Sequence, residues 1–350
     1  MILGEGYVHG GDIYSRRITL DFSANVNPLG TPEAVKEAIR ASAERIDIYP
    51  DPYCAPLRER LAELNGVEAG EILCGNGAAE LIYQFAAALK PENALLPVPS
   101  FADYEAALTA AGCSPRYYPL LRSEGFAVTE RILKAIDDDT DLLMLCSPNN
   151  PTGRVIKRPL LLRILERCWE TGTWLFLDEC FLELTDEEKA FSLVSSLRPG
   201  DRVILLRAFT KAYGMAGARL GYAISRQPGM LSAMCRGVQA WNVSTPAQAA
   251  GLAALDCPAW PERARRLIRA EKQYLTEELM ALGISVLPGD ANYLMLSGVP
   301  GLCDALLAKG ILIRDCRNYR GLGEGDCRIA VRAHEENLRL IAAIREVWHG

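Results

Sequence analysis

The sequence predicts an α/β protein, with a large unit built on a mostly parallel sheet and a smaller α+β unit after it. Three observations carry this reading. Short, wholly apolar runs such as Leu142–Cys146, Trp174–Leu177 and Val203–Leu206 read as strands buried on both faces. Amphipathic segments of helical length alternate with them, as parallel strands covered by helices require. Past about residue 245 that alternation gives way to long helices and shorter strands.

Residues 1–30 read as an irregular, extended arm rich in turn formers, with His9-Gly10-Gly11 as an early turn. Thr31-Pro32-Glu33 signals the first helix through a capping hydroxyl, an early proline and a first-turn acid, and that helix is expected to run to about Ile46. A turn at Tyr49-Pro50-Asp51-Pro52 precedes a helix over Ala55–Leu64 that ends at Gly66. Ile72-Leu73-Cys74 is a strand, and Gly75-Asn76-Gly77-Ala78-Ala79 opens the helix that follows it. Ala94–Val98 is a strand, Phe101–Ala111 a helix and Pro159–Glu170 another. Trp260–Leu282 is long, charged and helical. Ser285–Leu287, Asn292–Leu296, Ile311–Ile313 and Arg328–Val331 are strands before a closing helix at Glu335–Trp348. The expected organisation is an arm at 1–30, a large domain at 31–245 and a small domain at 246–350.

Length and composition agree with a globular chain of this kind. Of 350 residues, 49% are hydrophobic and 23% charged, and the formal net charge is −6. That balance excludes a global attraction for nucleic acid or an anionic membrane, so any anion site must be built locally. No apolar run approaches the roughly 20 residues of a membrane span. The first fourteen residues lack the basic-then-apolar order of a secretory signal. The eleven cysteines are scattered, with no Cys-x-x-Cys, and read as reduced thiols in a cytoplasmic protein without a metal site.

The chemistry concentrates where the apolar strands end. In open α/β sheets ligands sit beyond the carboxyl ends of the strands. One strand delivers Gly77 and Ala78 at a helix start, where backbone N–H groups favour an anion. A second delivers Ser147-Pro148-Asn149-Asn150-Pro151-Thr152-Gly153, whose composition also suits a plain turn. A third delivers Asp178 and Glu179, and an acid at that depth needs a cationic partner. The fourth, Val203–Leu206, leads into Thr210-Lys211, followed by Gly214, Gly217 and Arg219. An amine, a hydroxyl and a fixed cation thus share one loop, which suits a lysine nucleophile beside a phosphate.

Phe209-Thr210-Lys211 with Gly217-Ala218-Arg219-Leu220-Gly221, the Asn150-Pro151-Thr152-Gly153 loop and Asp178 together resemble the fold-type I pyridoxal 5′-phosphate (PLP) enzymes of the class I/II aminotransferase family. The resemblance implies PLP as cofactor, with its aldehyde carried by Lys211 as the catalytic residue. It implies that Asp178 meets the ring nitrogen, Asn150 the phenolic oxygen, and Gly77, Ala78, Thr210 and Arg219 the phosphate. Phe101 falls at the ring-stacking position. Tyr49 matches a tyrosine that reaches the neighbouring subunit's cofactor, which implies a homodimer. Two positions depart from the common pattern: Phe181 replaces a tyrosine, and Ala208 replaces a hydroxyl residue.

Within this family, His9-Gly10-Gly11, Asp21–Gly30 and Ile311–Leu322 resemble the L-threonine O-3-phosphate decarboxylases of cobalamin biosynthesis, which are similar to the histidinol-phosphate aminotransferases. That likeness implies a small phosphorylated amino-acid substrate, with Arg328 on the α-carboxylate, His9 and Arg314 on the substrate phosphate, and Asn27 nearby. Arg332, four residues beyond Arg328, either assists or is a surface charge.

Overall fold

A computed structural model describes residues 9–348. Among the described residues the strands, in chain order, are β1 Leu20–Asp21, β2 Ile72–Asn76, β3 Ala94–Val98, β4 Arg116–Pro119, β5 Leu142–Cys146, β6 Trp174–Asp178 and β7 Val203–Ala208, then β8 Leu220–Ile224, β9 Ser285–Leu287, β10 Tyr293–Ser297, β11 Ile311–Leu312, β12 Arg314–Asp315 and β13 Cys327–Ala330. Seven of them form one sheet in the order β2-β8-β7-β6-β5-β3-β4. Only β8 runs antiparallel to its neighbours, β2 and β7. The remaining pairs are parallel, as continuous apolar runs predict.

Alternate residues of those runs supply two different cores. Leu143, Leu145, Leu175, Leu177, Val203 and Leu205 join the cluster on one face. Leu142, Met144, Phe176, Ile204 and Leu206 join the cluster on the other. The period-two alternation of a strand therefore buries both faces of the sheet.

A second sheet, β12-β13-β10-β9, is antiparallel throughout. It shares a third core with the closing helix His334–Val347 through Leu294, Leu296, Ile329, Leu340 and Ile344. The arm joins the same core through Leu20 and Phe22, and β1 pairs with β11. The 23-residue helix Ala259–Ala281 bridges the two units: Ala264 and Ile268 lie in a large-sheet core, and Leu275 and Leu279 in the small one.

Two local expectations differ in detail. The first helix covers Glu33–Ser42 and then tightens into a 3₁₀ turn at Ala43–Arg45, short of Ile46. Thr31 does not cap it, because its hydroxyl donates to the Gly214 carbonyl at 2.8 Å and ties the arm to the lysine loop. Strand β4 was not legible as a strand, because it is a four-residue edge whose residues are all exposed or half-buried.

Glu179, next to Asp178, turns away from the sheet end. Its Oε2 accepts from Arg207 Nη2 at 2.9 Å and from Ser192 Oγ at 2.9 Å, and its Oε1 accepts from the Leu193 N–H at 3.0 Å. Both members of this ion pair are buried. Replacing Arg207 with methionine leaves a buried carboxylate without its cation, and the expected loss is about 3–5 kcal/mol of stability. Urea unfolding midpoints of Arg207→Met and of the Arg207→Met/Glu179→Met pair check this, the pair being expected to recover part of the loss.

Candidate active site

The parallel strands end together. Asp178 stands opposite Leu206 in the β6–β7 register, so the carboxylate at the end of β6 lies beside the strand that leads to Lys211. Lys211 sits in the short helix Phe209–Ala212 directly after β7. Around them is a cavity of about 590 Å³, into which Ala78, Phe101, Asn150, Asp178, Thr210, Lys211 and Arg219 all face. His9, Arg314 and Arg328 line the same cavity.

The amine is tuned by its setting. Desolvation, with Arg328 next and Arg219 after it on the same side, brings Lys211 down to about 8 against the pull of Asp178 and Cys180. Its Nζ lies 5.2 Å from the centroid of the Phe181 ring. A neutral amine attacks an aldehyde and an ammonium does not. Uptake of PLP by the apoprotein is therefore expected to quicken as pH rises, with a midpoint near 8. Stopped-flow absorbance across pH 6.5–9.5 checks it.

Asp178 is held on both oxygens. Tyr104 Oη donates to Oδ2 at 2.7 Å and the Cys180 N–H donates to Oδ1 at 2.8 Å. Burial nevertheless outweighs these donors and raises its pKa, which is the signature of a carboxylate lacking a full counter-charge.

The helix start beside Arg219 suits an anion. Gly77 is the N-cap of the helix Ala78–Leu89 and offers no side chain to its first-turn N–H groups. Gly77 has φ +81°, and a Cβ there would lie 2.6 Å from Arg219 Nη2. A Cβ on Gly221 would lie 2.6 Å from the Ala78 nitrogen. Both glycines are therefore needed for strand, helix start and guanidinium to converge. Gly77→Ala is expected to weaken PLP binding by about tenfold or more, through left-handed strain and a displaced Arg219. Equilibrium dialysis of the apoprotein with PLP measures it. The donor set therefore fits PLP by chemistry: phosphate donors, an under-compensated carboxylate and a depressed amine at one cavity.

The third wall comes from the small sheet and the arm. Arg314 and Arg328 stand directly opposite each other in the antiparallel β12–β13 pair. Such residues point to the same face with Cα atoms about 4.5–5.5 Å apart. Arg328 donates from Nη1 to Asn150 Oδ1 and from Nη2 to the Ser23 carbonyl at 2.8 Å. Arg314 donates from Nη2 to Asn318 Oδ1 at 2.9 Å and lies 5.0 Å from the centroid of the Tyr319 ring. His9 Nε2 is 3.3 Å from Asp103 Oδ1, and the His9 ring lies 5.8 Å from that of Phe101.

One expectation changes here. Asn27 does not line the cavity: its Nδ2 donates to the Ala212 carbonyl at 2.6 Å and its Oδ1 accepts from the Leu29 N–H, so the side chain braces the lysine helix. Asn25 lines the cavity instead, and with its amide oxygen turned to Arg328 it accepts from Nε at 3.1 Å and Nη1 at 3.2 Å. Arg332 lies past the end of β13 and pairs with Glu336 at 2.9 Å rather than facing the site. Tyr49 is exposed and stacks on Trp241 with centroids 4.3 Å apart, away from the cavity of its own chain. Sequence reasoning missed Asn25, Tyr104 and Tyr319. For Tyr104 the available signal was its place one helical turn after Phe101.

A mostly parallel sheet with a lysine, an aspartate and an anion cradle at its carboxyl end defines a class of protein. The chain matches the aminotransferase class I and II family over residues 17–344 and belongs to it. The family is PLP-dependent, and this chain is a PLP-dependent enzyme of that family. It is 38% identical to the threonine-phosphate decarboxylase of Salmonella typhimurium, across 98% of this chain and 97% of that one. It is 32% identical to the histidinol-phosphate aminotransferase of Methanosarcina mazei, across 93% of this chain and 87% of that one. Among solved structures, the histidinol-phosphate aminotransferase of Clostridium acetobutylicum superposes with TM-score 0.87 at 28% identity, covering 94% of this chain and 98% of that one. The L-threonine-O-3-phosphate decarboxylase of Porphyromonas gingivalis superposes with TM-score 0.80 at 27% identity, covering 94% and 99%. Among the described residues no helix is long and apolar enough to cross a membrane.

Proposed function

We propose that this chain decarboxylates L-threonine O-3-phosphate to (R)-1-amino-2-propanol phosphate and CO₂, as a cytoplasmic step toward cobalamin. The observation that carries the proposal is the opposed pair Arg314 and Arg328 on one face of the cavity. Two guanidiniums side by side on one cavity wall suit a ligand that carries two anionic groups. A substrate with a carboxylate and a phosphate on adjacent carbons answers both. The 38% identity to a threonine-phosphate decarboxylase supports the same reading.

In this reading Lys211 would hold PLP by its aldehyde, Asp178 by the ring nitrogen, Asn150 by the phenolic oxygen and Phe101 by its face. Gly77, Ala78, Thr210 and Arg219 would hold its phosphate. A Tyr49 from a second copy would complete that grip in a homodimer. Bound PLP supplies an electron sink for the pair released when a bond to Cα breaks. Arg328, fixed by Asn25, Asn150 and the Ser23 carbonyl, binds the α-carboxylate. Arg314 and His9 bind the substrate phosphate, so two anchors set the rotation about Cα and with it the bond that breaks. CO₂ leaves without a proton, and the Lys211 ammonium delivers one to Cα.

The loaded enzyme is mixed with L-threonine O-3-phosphate, with and without 2-oxoglutarate. The expected result is one CO₂ per substrate and, in either case, no keto acid formed from the substrate. Keto acid without CO₂ overturns the proposal. It would favour the second reading, an aminotransferase on histidinol phosphate or an aromatic amino acid, which the TM-score of 0.87 to a histidinol-phosphate aminotransferase supports.

A further inference from the structure

Tyr104 belongs to none of the roles assigned so far, yet it is almost completely enclosed and touches them. It lies in the helix Ala102–Ala110 and is 1% exposed. Its ring is clamped by Phe101, with centroids 5.6 Å apart at 84°, and by Phe176 of β6, with centroids 6.4 Å apart at 64°. Phe176 lies two residues before Asp178 on the same strand, so ring and carboxylate are carried by one rigid element. The hydroxyl donates to Asp178 Oδ2 at 2.7 Å.

A simple packing role needs only the ring, and phenylalanine would serve it better. A buried hydroxyl that donates to a buried carboxylate opposes the tendency of burial to protonate that carboxylate. The Cys180 N–H already occupies Oδ1, so the Tyr104 bond fixes the rotation of the carboxylate about its Cβ–Cγ axis as well. What remains of the carboxylate's acceptor capacity faces the cavity, which Asp178 lines.

We propose that Tyr104 is a positioning residue that aims Asp178, in its ionised form, at the ring nitrogen of bound PLP. The proposal rests on the reading of Asp178 as the partner of that nitrogen. The Tyr104 hydroxyl acts through Asp178, while its ring sets the edge against which Phe101 stands.

Tyr104→Phe removes one oxygen and keeps both ring contacts. The readouts are the dissociation constant of PLP from the apoprotein, by equilibrium dialysis, and the pH midpoint of the loaded protein's visible absorption band. Tyr104→Phe is expected to weaken PLP binding by about tenfold, the scale of one hydrogen bond to a charged group. It should also move the band's midpoint upward, because a ring nitrogen held less firmly in its protonated form withdraws fewer electrons. In an Asp178→Asn background the same change should alter either readout by less than about twofold, since residues acting as one unit are not additive. Wild-type values for Tyr104→Phe overturn the proposal. So does a tenfold loss repeated in the Asp178→Asn background, which would mark a structural role. Should Tyr104→Phe alone fold poorly by circular dichroism, the comparison of Asp178→Asn with the double variant still decides. Wild-type PLP binding and band midpoint in Asp178→Asn itself would overturn the reading of Asp178, a failure seen without touching Tyr104.

Discussion

Lys211→Ala is expected to abolish the visible absorption of the loaded protein and to lower kcat by roughly 10⁴-fold or more. The amine sits at the end of β7 in a half-buried position, and its depressed protonation is caused by desolvation first and by Arg328 second. Alanine removes both the covalent hold on the cofactor and the proton donor at Cα. The proposed phosphate cradle of Gly77, Ala78, Thr210 and Arg219 is untouched, so PLP should still associate, weakly and reversibly. Absorbance spectra before and after dialysis, together with single-turnover CO₂ release, separate these effects. Retained turnover in Lys211→Ala would remove the lysine from the chemistry altogether.

Arg314→Ala is expected to lower kcat/KM for L-threonine O-3-phosphate by about 10²- to 10³-fold, with PLP affinity unchanged. Charge-assisted hydrogen bonds to a phosphate contribute about 1.5–3 kcal/mol each, and a guanidinium can make two. The residue is 4% exposed, and Asn318 and the Asp315 carbonyl hold it in place, so its charge is fixed in the cavity wall. Unphosphorylated L-threonine should be turned over poorly by both wild type and variant, and about equally. A variant that discriminates against threonine as strongly as wild type does would place the phosphate elsewhere.

Much of this site could be read from one dimension because its cofactor half is local. Strands β5, β6 and β7 announce themselves as unbroken apolar runs, and the polar group that follows each run falls at the sheet's carboxyl end. Asn150, Asp178 and Lys211 converge for that reason alone. The substrate half is different. Arg314 and Arg328 could each be picked out, but that they face each other depends on the β12–β13 register, which no local pattern encodes. Asn25 and Asn27 lie two apart in one turn-forming run. Which of them faces the cavity is decided by the Ala212 carbonyl, nearly two hundred residues away in the chain, which captures Asn27. Tyr104 follows Phe101 by one turn and carries an aromatic ring into the core, so its hydroxyl gave no outward sign.

The order in which these walls occur along the chain governs how the enzyme can be assembled. Within one copy, the groups proposed to hold PLP lie between residues 77 and 219, whereas the second arginine arrives only at position 328, on a strand packed between β10 and β12. A growing polypeptide thus carries those groups well before both arginines exist, and Leu20–Phe22 of the arm must wait for β11 and β13 to emerge before its backbone finds partners. A ribosome-tethered chain ending shortly after β8 would therefore carry the proposed cofactor-holding residues while lacking both arginine anchors.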